Sequence, residues 1–137
     1  MRWTIVDVDV AMRSASGTDA IVKGQEDLRA LIDGRCIDIV QPSVPGTGGL
    51  TEAKRIATLA HAQNLRVAPH AWGGAIGLAA TCHFIASLPN TPHTDHPPHP
   101  LMLEYDMSDN ALRTQLLKKP LTLDAGHVLL PDGPGLG

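Results

Sequence analysis

The chain predicts an α/β fold built on parallel strands, and three observations lead there. After residue 20, helical and extended patterns alternate in the order helix, strand, helix, strand, helix, strand. The extended runs are short and apolar, and the helices between them suit right-handed crossovers between parallel neighbours. The residues able to do chemistry fall near the ends of those runs: Ser43 after "DIVQP", His70 closing "RVAPH" and Glu104 near the close of "LMLE". In a (β/α)8 barrel the C-terminal ends of the strands form the active-site face, and in an open doubly wound sheet they line the ligand crevice. Either way the three side chains converge.

The elements follow in order. "TIVDVDV" (4–10) alternates valines with Asp7 and Asp9, the pattern of a half-exposed strand whose carboxylates either hold a metal or face solvent. "RSASGTD" (13–19) is a loop by composition. "GQEDLRALIDG" (24–34) spaces Leu28, Leu31 and Ile32 as one helix face and exits at Gly34. "CIDIVQP" (36–42) is a strand ended by Pro42. The glycine-rich turn "SVPGTGGL" (43–50) lacks both the Lys-Ser/Thr ending of a phosphate loop and the spacing of a dinucleotide fingerprint. Thr51 is placed to cap a helix over 52–63, with Ala53, Ile56, Ala57, Leu59 and Ala60 on its apolar face.

"LRVAPH" (65–70) is the next strand, and "AIGLAATCHFIASL" (75–88) is a helix apolar nearly all round, so protein should cover it. His83 inside it reads as a satisfied core histidine. "PNTPHTDHPPHP" (89–100) is a proline-rich loop in which His93, His96 and His99 recur every third residue. In a polyproline-like conformation their rings align on one side, which suits a metal; a solvated insertion is the plainer reading. "LMLEY" (101–105) is a strand, "SDNALRTQLL" (108–117) a short helix stopped by Pro120, and "DAGHVLLPDGPGLG" a short strand with a glycine-proline tail.

Composition narrows the function classes. The 137 residues suffice for one domain with a core, and 43% apolar content marks a globular chain. A net charge of −3 without a basic stripe excludes nucleic acid as an expected partner. No signal peptide or membrane span is expected. Cys36 and Cys82 sit in apolar segments without CxxC spacing and read as buried thiols of a cytoplasmic protein.

"LRVAPHAWGG" (65–74) poses the functional question directly. A strand that stops at a histidine, followed by tryptophan and two glycines, presents an imidazole beside a turn. It is either a proton-transfer group or an incidental residue of a strand-to-helix connection.

"DIVQPSVPGTGGLTEAKRIATLAHAQNLRVAPHAWGG", the helix "AIGLAATCHFIASLP", then "LMLEYD" and "LPDGPGLG" occur in an order and spacing that resemble the C-terminal barrel portion of the mandelate racemase/muconate lactonizing enzyme group of the enolase superfamily. "PHAWGG" and "LEYDMSDNALR" are most similar to its acid-sugar dehydratase and racemase branch. The resemblance runs from about Asp27 to Gly137, dividing the chain into a poorly matching segment, 1–23, and a barrel portion, 24–137. It implies about half of a (β/α)8 TIM-type barrel, since a whole one takes roughly 250 residues.

The chemistry implied is removal of the proton α to the carboxylate of a hydroxy or sugar acid, with Mg2+ stabilising the enediolate. By position His70 matches the general base, Ser43 stands where an aspartate would orient it, and Glu104 matches a carboxyl group that hydrogen-bonds or protonates the enediolate. Thr18 is the nearest counterpart of a metal-binding glutamate. Serine cannot stabilise an imidazolium as a carboxylate does, and threonine is a poor ligand for a hard cation. The lysine strand and the other metal ligands would lie before Met1. The resemblance thus implies a truncated or degraded family member, inactive as an isolated chain, with a small-molecule carboxylate as substrate. The alternative is a non-catalytic half barrel that pairs with an N-terminal half or with its own copy.

Overall fold

The alternation is realised in the computed structural model, which describes residues 2–4, 21–22, 24–89, 101–121, 123–130 and 133–137. Its elements are β1 (Arg2–Thr4), β2 (Ile21–Val22), α1 (Gln25–Asp33), β3 (Ile39–Pro42), α2 (Leu50–Ala62), β4 (Arg66–Val67), α3 (Ala75–Ala86), α4 (Ala111–Thr114), β5 (Leu123–Asp124) and β6 (His127–Leu129). β2, β3 and β4 form a parallel sheet in that order, with Ile21 opposite Gln41, Ile39 opposite Arg66 and Val40 opposite Val67. β5 and β6 form a hairpin, and β1 joins it antiparallel, Trp3 opposite Val128.

α1 buries Leu28 completely and packs Leu31 and Ile32 against the core margin, as their spacing requires. Gly34 closes the helix with ordinary right-handed backbone; the left-handed residue is Arg35, at φ 49°. The glycine is there for space instead: a Cβ at 34 would stand 2.9 Å from Cys36 Sγ and 3.3 Å from the Ala30 carbonyl. Cys36 itself is exposed rather than buried, because it lies in the turn before β3.

α2 presents Ala53, Ile56, Ala57 and Ala60 to the core, all fully buried. The three alanines let the helix lie close to β3 and β4. Gly49, at φ 125°, caps this helix, and Thr51 is an exposed residue of its first turn. That backbone conformation strains any residue with a Cβ, so the glycine sets the start of the helix two residues before the threonine. Gln25 Nε2 donates to Glu52 Oε1 at 3.0 Å and ties the two helix starts together. That bond, with the Arg55 guanidinium, holds the Glu52 carboxyl below its ordinary range.

α3 is covered nearly all round, with Ile76 the one strongly exposed position. Burial pushes the Cys82 thiol up to about 11. His83 is not the satisfied histidine its position suggests: its buried Nε2 has no hydrogen-bond partner among the described residues. No described helix is long and apolar enough to cross a membrane.

Residues 101–105 run beside β4 with Leu101 and Leu103 buried, yet make no ladder. Pro69 can offer a carbonyl but no N–H, and the Glu104 N–H donates to that carbonyl at 3.2 Å. The helix expected over 108–117 shortens to α4, since Asn110 acts as its N-cap by accepting from the Leu112 N–H at 3.0 Å. One core joins both sheets, from Leu28, Val40 and Ile56 through Phe84 to Val128 of β6.

Candidate proton-transfer site

β3 and β4 run parallel and continue past their ladders to one further contact, a bridge between Ser43 and His70. The two residues therefore share a register position at the C-terminal end of the sheet. Glu104 is brought there by the hydrogen bond from its own N–H to Pro69, the residue before His70. The three residues singled out from sequence thus meet at one end of the parallel strands.

His70 Nδ1 lies 2.6 Å from Glu104 Oε2, with the two side chains 22% and 11% exposed. Both side chains are largely shielded from solvent, and the contact is short for a hydrogen bond between nitrogen and oxygen. Trp72 stacks on the imidazole, with ring centroids 5.7 Å apart and planes 23° from parallel. One nitrogen edge and one face of the ring are thereby held.

Ser43 makes a different bond from the one its position suggests. Its hydroxyl accepts the Gly46 N–H at 3.2 Å, and its carbonyl accepts the Thr47 N–H at 2.8 Å, so it closes the turn after β3. The expected consequence of serine at 43, an imidazole without an anionic partner, does not hold: Glu104 is that partner.

A second layer fixes the segments on either side. Gly73, at φ 130°, turns the chain after Trp72 in a conformation that favours glycine. Its carbonyl accepts from Asn110 Nδ2 at 3.2 Å. Arg113, 7% exposed, pairs with Asp106 at 3.0 Å, donates to the Asp106 and Ser108 carbonyls and lies 5.4 Å over the Tyr105 ring. The bond from Ser108 to its carboxylate, then the Arg113 charge, hold Asp106 below the ordinary carboxylate range. The chain after Glu104 is thus pinned to the turn after His70. Sequence reading does not single out Trp72, Asn110 or Arg113 as site residues, although all three stand within segments it marks, the tryptophan in "PHAWGG" and the other two in "LEYDMSDNALR".

Thr18, Asp7, Asp9, His93, His96 and His99 lie outside the described residues. Among the described residues no group of three or more His, Cys, Asp or Glu is placed to hold a metal ion. Their donor set alone does not make a Mg2+ site. The open grooves along α1 and α2, lined by Gln25, Arg55 and Leu59 among others, include none of the site residues. What the described site offers is a held imidazole at a strand end, with Nδ1 against Glu104 and one face against Trp72.

Residues 16–137 match the family model described as enolase C-terminal domain-like. D-galactarolactone cycloisomerase of Agrobacterium fabrum is 42% identical over 101 residues, covering 74% of this chain and 26% of that protein. Arabinonate dehydratase of Saccharolobus solfataricus is 30% identical over 136 residues, covering 95% of this chain and 34% of that protein. The crystal structure of 3,6-anhydro-D-galactonate cycloisomerase from Zobellia galactanivorans superposes with a TM-score of 0.70 at 36% identity, over 88% of this chain and 31% of that one. The chain therefore spans between a quarter and about a third of the length of these relatives. It belongs to the enolase C-terminal domain-like family, of whose (β/α) barrel it forms a part.

Proposed function

We propose that this chain is the proton-transfer portion of an acid-sugar dehydratase or racemase-type enzyme, with His70 removing the proton α to the carboxylate of a hydroxy or sugar acid. The observation that supports this most directly is His70 Nδ1 held 2.6 Å from Glu104 Oε2 at the strand end. In the step itself the α C–H bond breaks, the proton moves to the other ring nitrogen, and the electron pair passes into the carboxylate as an enediolate. Delivery of a proton to the opposite face, by an acid from the part of the barrel that the described residues do not form, gives racemisation, with the first proton left on His70; loss of a β-hydroxyl as water gives dehydration. The family's Mg2+ chemistry calls for carboxylates that the described residues do not assemble, so we propose that activity needs the rest of the barrel, from this polypeptide or a complementary chain, and that the given residues by themselves are inactive.

A non-catalytic half barrel that pairs with another chain is the second reading. It is favoured by β2, whose outer edge has no strand partner among the described residues. Both are tested by co-expression with the N-terminal portion of a related cycloisomerase and NMR detection of deuterium at the α-carbon of a sugar acid. The expected result is exchange that falls about 100-fold or more in His70→Gln, the scale of a lost general base. A folded assembly that exchanges nothing, or exchanges equally without His70, overturns the catalytic reading and leaves the structural one.

A further inference from the structure

We propose that Glu104 is the positioning residue of His70, holding the imidazole in the tautomer that carries its proton on Nδ1 and leaves Nε2 free as the base. The proposal rests on the reading of His70 as the proton-transfer group and assigns Glu104 a role different from acid toward the substrate.

Four observations converge on it. The 2.6 Å contact is made by Nδ1, and an ionised carboxylate accepts hydrogen bonds but cannot donate them. With the carboxylate ionised, the proton in that bond belongs to the ring, and a neutral ring so protonated has Nε2 as its acceptor. Ser43, on the neighbouring strand, is occupied with the Gly46 N–H and offers no competing anion. The Glu104 N–H bonds the carbonyl of Pro69, so backbone and side chain of one residue grip two successive residues of the histidine's strand. Trp72 restricts the ring on one face, so rotation about the bond to Glu104 is limited as well. The same logic, a carboxylate holding a histidine by Nδ1 so that Nε2 does the proton transfer, underlies the serine-protease triad. Here the carboxylate arrives from the segment after α3 rather than from β3, the strand on the other side of His70.

A carboxylate so engaged is not free to protonate a substrate intermediate from the same oxygen. The acid, where the reaction needs one, must then be a different group or the His70 imidazolium itself.

The test reads the ring proton directly. The full chain, labelled with 15N-histidine, is followed by long-range 1H–15N correlation on the alkaline plateau of the His70 signals, which are assigned by their loss in His70→Gln. The expected pattern is a protonated Nδ1 and a bare Nε2. Glu104→Ala should move His70 to the tautomer mixture of a free histidine amide in the same buffer. Glu104→Gln, whose amide oxygen still accepts, should restore the Nδ1–H form. A His70 with its proton on Nε2 in the unaltered chain overturns the proposal, and so does an unchanged Nδ1–H form in a folded Glu104→Ala chain. Should the alanine variant fail to fold, the unaltered chain and Glu104→Gln still decide. Because no substrate is present, an Nδ1–H tautomer with no α-proton exchange would sink the catalytic reading and leave the positioning role standing. Exchange by a ring protonated on Nε2 would do the reverse.

Discussion

A histidine presents two nitrogens and two faces, and the chemistry it performs depends on which of the four the protein occupies. Here one nitrogen meets Glu104 and one face meets Trp72. Convergence of His70, Glu104 and Ser43 is legible in the sequence because each follows a short apolar run, and parallel strands bring such positions to one end. The direction of the Ser43 hydroxyl is not legible, since it depends on the backbone N–H of Gly46 within a turn. Neither is the stacking of Trp72, which depends on how Gly73 bends the chain. Asp106 offers a measurement at the same scale. Its carboxyl is held below the ordinary range by Ser108 and Arg113, so the ionised form is favoured in the folded chain. The stabilisation is fully present above the unfolded value near about 3.9 and is lost as pH falls through the lower folded value. Asp106→Asn should therefore melt below the unaltered chain at neutral pH, with the gap closing below about pH 4. Melting curves followed by circular dichroism across that range would show it; a gap independent of pH would contradict it.

Among the elements, α1, α2 and α3 follow from apolar spacing because each has a face, or in α3 a whole surface, that only burial explains. Their ends are less legible. The start of α2 is set by Gly49 in a conformation that no side-chain pattern reveals, and Thr51 looks like a cap only when that is unknown. Residues 101–105 have the apolar residues of a strand but face Pro69, whose missing N–H removes half of what a ladder needs. α2 is the central packing element, since it touches α1, α3, β3 and β4. Ile56→Ala, removing a fully buried side chain there, should lower unfolding free energy by about 2–5 kcal/mol. Thr58→Ala, two residues on and exposed, should change it by no more than about 0.5 kcal/mol. Urea unfolding of the two variants separates the cases, and equal costs would mean that α2 does not pack as described.

At the scale of the whole molecule, both sheets share one core, and the two cysteines report on it from opposite sides. Cys36 is exposed, whereas Cys82 is 3% exposed with its thiol pushed up to about 11. At pH 8 about one Cys82 in a thousand would be thiolate, the form that reacts. A thiol reagent should therefore modify one cysteine quickly in the folded chain and the second only on unfolding. Two equally fast thiols would mean that α3 is not covered. The antiparallel pairing of Arg2 with Leu129 adds a consequence in time. At roughly 5–20 residues per second, the partner of β1 leaves the ribosome on the order of ten seconds after β1 itself. By then the parallel strands and α1 to α3 have already emerged and can associate among themselves. Among the described strands β1 is therefore the one that waits longest for its partner, and its pairing with β6 follows the association of the parallel strands.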